Sequence, residues 1–224
     1  MITLVVLVLL LVVVDRVAVQ VAAGVIASKV QKSQNLDQKP SVSIEGFPFL
    51  TQVIGNDYHS IRLSGHDVRV TADGTEVRLD SFKGQLTNVK TADHFHAVTA
   101  EKGTGTANLG YTELSRLVGS TVGYGTNGRV SATRTLTVDG QSLTGTVTAK
   151  VSVTDGDALS FADVQVSVQG VSQTVPQSVT DQFTNIFARR LSLSGLPFGL
   201  KITQVTATST GVGVSATATN ITLR

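Results

Sequence analysis

The chain has 224 residues, no cysteine and a formal net charge of +2. This length allows a sizeable core, and the missing cysteines exclude disulfide and thiolate chemistry. Scattered Lys and Arg without interleaved aromatics argue against a nucleic-acid-binding surface. The apolar residues are mostly Val, Leu, Ala and Ile, mixed with many Thr and Ser, which favours β-sheet.

The N-terminus carries an apolar run from Ile2 to Val14 that only Thr3 interrupts. A hydrocarbon core of about 30 Å needs about 20 apolar residues, so this run alone is too short to cross it. Its length matches the apolar part of a signal peptide. A spanning helix could continue towards Ala27 only by carrying the charged pair Asp15-Arg16. A cleaved signal, an uncleaved anchor and a buried core helix all stay open.

We predict that residues 1–14 form this signal or anchor segment and that residues 15–224 form one domain. Apolar residues at helical spacing predict an amphipathic helix from Val17 to Lys32 and another from about Pro176 to Arg190. A short helix from Thr112 to Val118 is expected to be capped by the Thr112 hydroxyl.

Period-two alternation and Asp-Gly turns predict strands over most of the remaining chain. Residues 164–168 show it best, since Val and polar residues alternate there. The fold class is therefore α+β and mainly β, with one curved, mainly antiparallel sheet and two principal packed helices. The predicted strands are Val42–Glu45, Asp57–Leu63, Asp67–Thr71, Glu76–Lys90 (a strand pair or one long bent strand), His94–Thr106, Arg129–Val138, Leu143–Val153, Leu159–Val168, Leu200–Ser209 and Val212–Leu223.

A Gly-x-Pro-Phe motif occurs twice, as residues 46–49 and 195–198. Each copy follows a helix and a short strand and is expected to lead into a further strand. Proline fixes φ and glycine permits a tight bend, so each copy should form a rigid corner that projects an aromatic side chain.

Three segments resemble the LmeA-like phospholipid-binding family of actinobacterial envelope proteins: Asp15-Arg16 with Ala18, residues 44–52 and residues 193–200. The resemblance extends from about Asp15 to Leu223. It implies an elongated, curved or barrel-like structure, loosely similar to tubular lipid-binding domains, with packed helices and an apolar cavity. It also implies phospholipid binding without enzymatic activity, on the outer side of a bacterial plasma membrane.

The sequence contains no pattern typical of an enzyme. Residues 119–123 contain serine between glycines in the wrong order for a nucleophile elbow, and Glu45, Asp73, Asp80 and Asp93 are scattered. His94 and His96 could share a strand face and bind a metal with His59 and His66, but we interpret them as surface residues. We expect no cofactor and no metal.

The aromatic side chains and their neighbours are the candidate lipid contacts, because acyl chains bind by apolar burial. We expect both Pro-Phe corners to line one cavity with the second helix; ordinary core packing is the alternative for each residue. The predicted function is binding or carriage of phospholipid at the plasma membrane, and the alternative is a structural envelope protein without a lipid ligand. The candidate lipid-binding residues are Phe47, Phe49, Leu50, Phe183, Phe187, Leu196, Phe198 and Leu200.

Overall fold

The computed structural model describes residues 2–33, 36–72, 74–92, 97–138, 140–168, 177–188, 191–192 and 199–223. Over these ranges the chain is mainly β, as predicted. The helices are α1 (Ile2–Ser33), α2 (Phe49–Gly55), α3 (Tyr111–Val118) and α4 (Gln177–Thr184), the last followed by a 3-10 turn at Asn185–Phe187. The strands are β1 (Ser41–Glu45), β2 (Asp57–Ala72), β3 (Thr75–Ala92), β4 (Ala97–Leu109), β5 (Val122–Tyr124), β6 (Arg129–Val138), β7 (Gln141–Thr154), β8 (Ala158–Val168), β9 (Leu191–Ser192), β10 (Lys201–Thr208) and β11 (Gly211–Leu223).

These strands form two antiparallel sheets, which corrects the prediction of one sheet. The first sheet has the order β1-β2-β3-β4-β11-β10, and the second has the order β5-β6-β7-β8-β9. Neither closes into a barrel within the described ranges. The antiparallel pairing is confirmed in every described strand pair. Alternation marks where strands run but does not identify their partners, so it could not distinguish one sheet from two.

The N-terminal apolar run and the first amphipathic stretch form one helix, α1, without a break. It is long and apolar enough to cross a membrane. Residues 4–14 are exposed on every face, whereas Ala18, Val19, Ala22 and Ile26 pack against the first sheet. The N-terminal half of α1 therefore leaves the folded domain, and its C-terminal half is part of it.

The interior of the domain consists of two hydrophobic clusters. The lower cluster joins α1, α2 and the end of the first sheet that contains Ile44, Tyr58 and Val89. The upper cluster joins both sheets through α3, α4 and the 3-10 turn, with Val130 and Val147 fully buried. A 2.7 Å hydrogen bond from the Ile202 N–H to the Gly156 carbonyl links β10 to the β7–β8 turn.

In four strands of the first sheet, β2, β3, β4 and β11, the alternation of buried and exposed side chains is interrupted at neighbouring register positions. Tyr58, Val89, Ala100 and Ile221 are paired in register and buried, and the next residues towards the sheet centre are exposed. Two of those exposed residues, Asn88 and Asn220, have φ of 51° and 53°, a left-handed conformation that Asn tolerates better than most residues. We call His59, Asn88, Glu101 and Asn220 the shift row. It interrupts strict alternation near the start of β2, which is one continuous strand although two strands, Asp57–Leu63 and Asp67–Thr71, were predicted.

Two helix predictions need correction at their ends. Thr112 lies inside α3, and Gly110 is the residue at the cap, without a side-chain hydrogen bond. The second amphipathic helix is shorter than predicted, because the α-helix ends at Thr184 and a 3-10 turn continues to Phe187. Its buried residues, Val179, Phe183, Ile186 and Phe187, are those the helical spacing predicted.

Candidate functional site

The first Gly-x-Pro-Phe motif forms a corner between β1 and α2. Gly46 has φ of 106°, a conformation that glycine adopts without strain. The motif then begins the helix α2 at Phe49, where a strand had been expected. Phe47 is 63% exposed, whereas Phe49 is 3% exposed and packs against Tyr58 with ring centroids 6.3 Å apart. The corner therefore projects one aromatic side chain outward and buries the other.

Two charged residues of α1 hold this corner in place. The Asp15 carboxylate is buried, and its Oδ1 accepts a 2.9 Å hydrogen bond from the Leu50 N–H. That N–H belongs to the first turn of α2, where backbone donors lack partners within the helix. The Arg16 guanidinium bonds Asp15 Oδ2 at 2.9 Å and lies 4.9 Å from the centre of the Phe47 ring. The sequence motif Asp15-Arg16 is thus the joint between α1 and the corner, a role that its charge alone did not reveal.

The second candidate region is the packing of α4 on the second sheet. Phe183 is fully buried and lies directly over Gly145 of β7, where an added Cβ would come within 2.6 Å of the ring. Phe187 is buried too, and its ring centroid is 4.7 Å from that of Phe161 on β8. The absence of a side chain at Gly145 is what allows the helix to approach the sheet this closely.

The structure divides the candidate residues between the two clusters. Phe49 lies in the lower cluster with Leu50 beside it, and Phe183 and Phe187 lie in the upper one. Leu200 lies next to Gly105 of the first sheet. Leu196 and Phe198, with the second Pro-Phe corner, lie outside the described residues. The expected shared cavity is therefore not supported for Phe49 and the α4 pair, and lipid contact stays a prediction for each residue.

A strip of half-buried apolar side chains continues from Phe183 along the second sheet. Leu136 and Leu143 are cross-strand partners on the face that carries the buried Ala132 and Val147. They pack only partly against the upper cluster, as do three valines of β8. We call this set the apolar strip; its members are Leu136, Leu143, Val164, Val166 and Val168. Alternation predicted the valines as one face of a half-buried strand, but neither the valines nor the two leucines were predicted as lipid contacts.

The outer face of the first sheet is polar. A groove of about 400 Å³ crosses β1 to β4 there, with Arg62 and Lys83 among its lining residues, and Arg62 pairs with Glu45. A second groove, of about 520 Å³, borders the shift row between Asp57 and Asn220. Polar, open grooves of this kind are unsuited to acyl chains, so they do not add to the candidate lipid site.

Titratable groups do not converge on a catalytic or metal site within the described ranges. No group of three His, Asp or Glu residues suited to a metal occurs among them. His59 and His66 are exposed on β2 and lie seven positions apart, which corresponds to about 23 Å along an extended strand. His94 and His96 lie outside the described residues. Burial raises the pKa of the Tyr58 phenol, although a hydrogen bond with Thr91 lowers it, so this group is neutral in the lower cluster.

The fold and these clusters define a class: a β-rich domain with helices packed on two antiparallel sheets and an apolar helix leading out of it. The chain belongs to the LmeA-like phospholipid-binding family, whose model matches residues 13–217. The match confirms the resemblance carried by the Asp15-Arg16 and Pro-Phe motifs. No curated protein and no solved structure matches the chain.

Proposed function

We propose that this protein binds or carries phospholipid without catalysis, while α1 tethers it to the outer side of the plasma membrane. The single observation that carries the proposal is the match to a phospholipid-binding family over residues 13–217. The exposed apolar residues 4–14 support the tether, because a helix with apolar side chains on every face is stable in lipid rather than in water. The folded domain would then lie at the membrane surface.

The apolar strip is the proposed contact for the acyl chain. Its side chains are neither fully packed nor fully exposed, so an acyl chain lying along them would complete their burial. Each methylene removed from water contributes about 0.8 kcal/mol, and no polar catalyst is needed for this. In this arrangement Phe183 and Phe187 form the inner end of the strip, since they pack on the same face of the second sheet.

Arg134 is the proposed partner of the phosphate group. It is exposed and pairs in register with Gly145, between the levels of Leu136 and Ala132. Strand alternation places it on the face of the apolar strip. A guanidinium matches phosphate geometry with two parallel hydrogen bonds. A cation beside an apolar strip would suit an amphipathic ligand better than a free fatty acyl chain alone.

The test begins with mass spectrometry of lipids that co-purify with the full chain. The double variant Leu136→Gln/Leu143→Gln should then retain much less phospholipid than the parent while remaining folded, because both side chains are only half buried. Thr135→Gln/Thr144→Gln is the matched control, since this hydrogen-bonded pair lies on the opposite face of the same two strands. Equal lipid retention by the folded leucine variant would remove the strip from the site.

The alternative function is a structural envelope protein without a lipid ligand. The complete burial of Phe183 over Gly145 favours it, because at this point the interior is packed rather than open. A full-length protein that carries no stoichiometric phospholipid, and takes up none from vesicles, would support this alternative over the carrier.

A further inference from the structure

Three apolar side chains at one end of the domain remain exposed to solvent. Phe47 is 63% exposed and Ile54 83% exposed, and Val53 between them is exposed as well. All three belong to residues 46–56, which comprise the first Pro-Phe corner, α2 and its capping residue Asn56. Several large apolar side chains exposed within one short segment point to contact with another apolar phase.

The contacts with α1 place these residues close to the membrane-directed part of the helix. Asp15 holds the first turn of α2, and Arg16 lies over the Phe47 ring. Residues 46–56 therefore begin at the level of α1 where the exposed apolar segment 4–14 ends. Arg16 is paired with Asp15 at that level, so its charge is compensated without water.

The lipid-compatible surface of α1 does not stop at Asp15. Val17, Val21 and Val25 follow one another by one turn each, and all three are exposed on the side away from the domain. Together they extend the apolar surface by about 12 Å along the helix axis. A bilayer that covers both the apolar segment 4–14 and this stripe also covers the level of Phe47, because Arg16, which lies over the Phe47 ring, sits between the two along α1.

We propose that residues 46–56 insert into the outer leaflet beside α1, with a phospholipid bilayer as the partner of Phe47, Val53 and Ile54. The proposal rests on the membrane tether in the proposed function. The local hydrogen bonding fits a poorly hydrated position, since the Thr51 hydroxyl donates to the Pro48 carbonyl at 2.8 Å. The cross-strand pair of Asp57 and Lys90 begins the polar surface immediately beyond Asn56.

The chain has no tryptophan, so a single introduced indole reports on its own position. The full chain is reconstituted into vesicles of phosphatidylcholine and phosphatidylglycerol, once with ordinary and once with brominated acyl chains. Phe47→Trp and Ile54→Trp are the reporters. Tyr124→Trp is the matched control, because Tyr124 is an exposed aromatic residue on β5 of the second sheet, whereas residues 46–56 adjoin the first sheet.

The expected result is a blue-shifted emission and a roughly twofold or greater loss of intensity in brominated vesicles for both corner reporters, since indoles at the membrane interface contact acyl chains. The Tyr124→Trp control should show neither change. The proposal would be overturned if the protein floats with the vesicles but the tryptophans at positions 47 and 54 are not quenched. An emission shift without quenching, accompanied by dimerisation, would overturn it in favour of a second copy as the partner.

These outcomes separate the insertion from the proposed function. If phospholipid co-purifies but the corner reporters are not quenched, the insertion fails and lipid binding stands. If the reporters are quenched but no lipid is retained after extraction, the insertion stands and carriage fails. A full chain that does not float with vesicles removes the tether, and the insertion with it.

Discussion

Asp15 on α1 accepts a hydrogen bond from the backbone N–H of Leu50 on α2, 35 residues away in the sequence. The carboxylate therefore performs for α2 the task of an N-terminal cap, although it belongs to another helix. Pro48 precedes α2 and provides no side-chain cap. The orientation of the corner depends on this one buried side chain.

Removal of the Asp15 carboxylate should loosen α2 from α1. We expect Asp15→Ala to destabilise the full chain by about 1–2 kcal/mol, because a helix loses its cap and a buried donor loses its partner. Asp15→Asn should cost less, since the amide oxygen still accepts from Leu50. Thermal unfolding and limited proteolysis at residues 46–56 measure both effects. Equal stability of the alanine variant and the parent would show that the cap is dispensable.

Gly145 should not tolerate a side chain. The Cβ of Gly145→Ala would meet the Phe183 ring at 2.6 Å, so the helix α4 or its phenylalanine must shift. We expect a loss of about 1–3 kcal/mol from overpacking, measured by denaturant unfolding. Gly123→Ala on β5 is the matched control, because an added Cβ there meets nothing within 4 Å. A similar small effect of both substitutions would contradict the close contact.

Phe183→Ala tests the same contact from the other side. Truncation of a fully buried phenylalanine should cost about 3–5 kcal/mol. If lipid fills this region in the intact protein, added phosphatidylglycerol should recover part of the lost thermal stability in the variant. Recovery that is no greater than in the parent would identify Phe183 as ordinary core.

The Glu113 carboxylate should make stability depend on acid pH. Hydrogen bonds from the Arg116 guanidinium hold its pKa below the ordinary value of 4.5, although burial opposes them. Because the folded-state pKa is lowered, the contribution is complete above about pH 4.5 and is lost as pH falls through the folded value. Glu113 also accepts a 3.0 Å hydrogen bond from the Arg78 N–H of β3.

Glu113→Gln should therefore cost about 1.5 kcal/mol at neutral pH and progressively less in acid. Unfolding midpoints measured from pH 7 to pH 3 compare it with the parent. Glu76→Gln is the control, because Glu76 is more exposed and its closest contact with Arg69 is 3.6 Å. A pH dependence that is unchanged in Glu113→Gln would exclude this carboxylate as its source.

The left-handed residues of the shift row should reject β-branched side chains. Asn220→Gly should be tolerated, whereas Asn220→Val should cost about 1–2 kcal/mol, because Val at positive φ crowds its own backbone. Thr219→Val is the control, because Thr219 is the exposed residue that precedes Asn220 in β11. This substitution should be nearly neutral. Denaturant unfolding distinguishes these outcomes, and a tolerated Asn220→Val would mean that the alternation does not shift there.

Periodic patterns predicted the elements better than their arrangement. Val179, Phe183 and Ile186 were identified as one buried helix face because 3.6-residue spacing depends only on local sequence. Tyr58 was not predicted as core, since its burial depends on a shift shared by three neighbouring strands. The Asp15 cap was not predicted either, because a hydrogen bond to Leu50 requires knowledge of how α2 packs on α1. Sequence spacing contains no information on such tertiary partners.

The repeated Pro-Phe motif shows a related limit. Similar sequence predicted equivalent surroundings, yet β1 before the first copy pairs within the first sheet, and β9 before the second pairs with β8 in the second sheet. After the second copy the chain returns to the first sheet through β10. Local likeness therefore did not predict that the two copies follow strands of different sheets.

The strand order also determines when the first sheet can finish folding. β4 and β11 are neighbours in the first sheet, although α3 and all of the second sheet lie between them in the chain. The hairpins of the second sheet can form as soon as they are synthesised, since their contacts are local. The β4 edge must wait for the last residues of the chain, and such distant pairings slow folding. During this interval β4 exposes an unpaired edge, so a newly made chain is prone to aggregation until β11 pairs with β4.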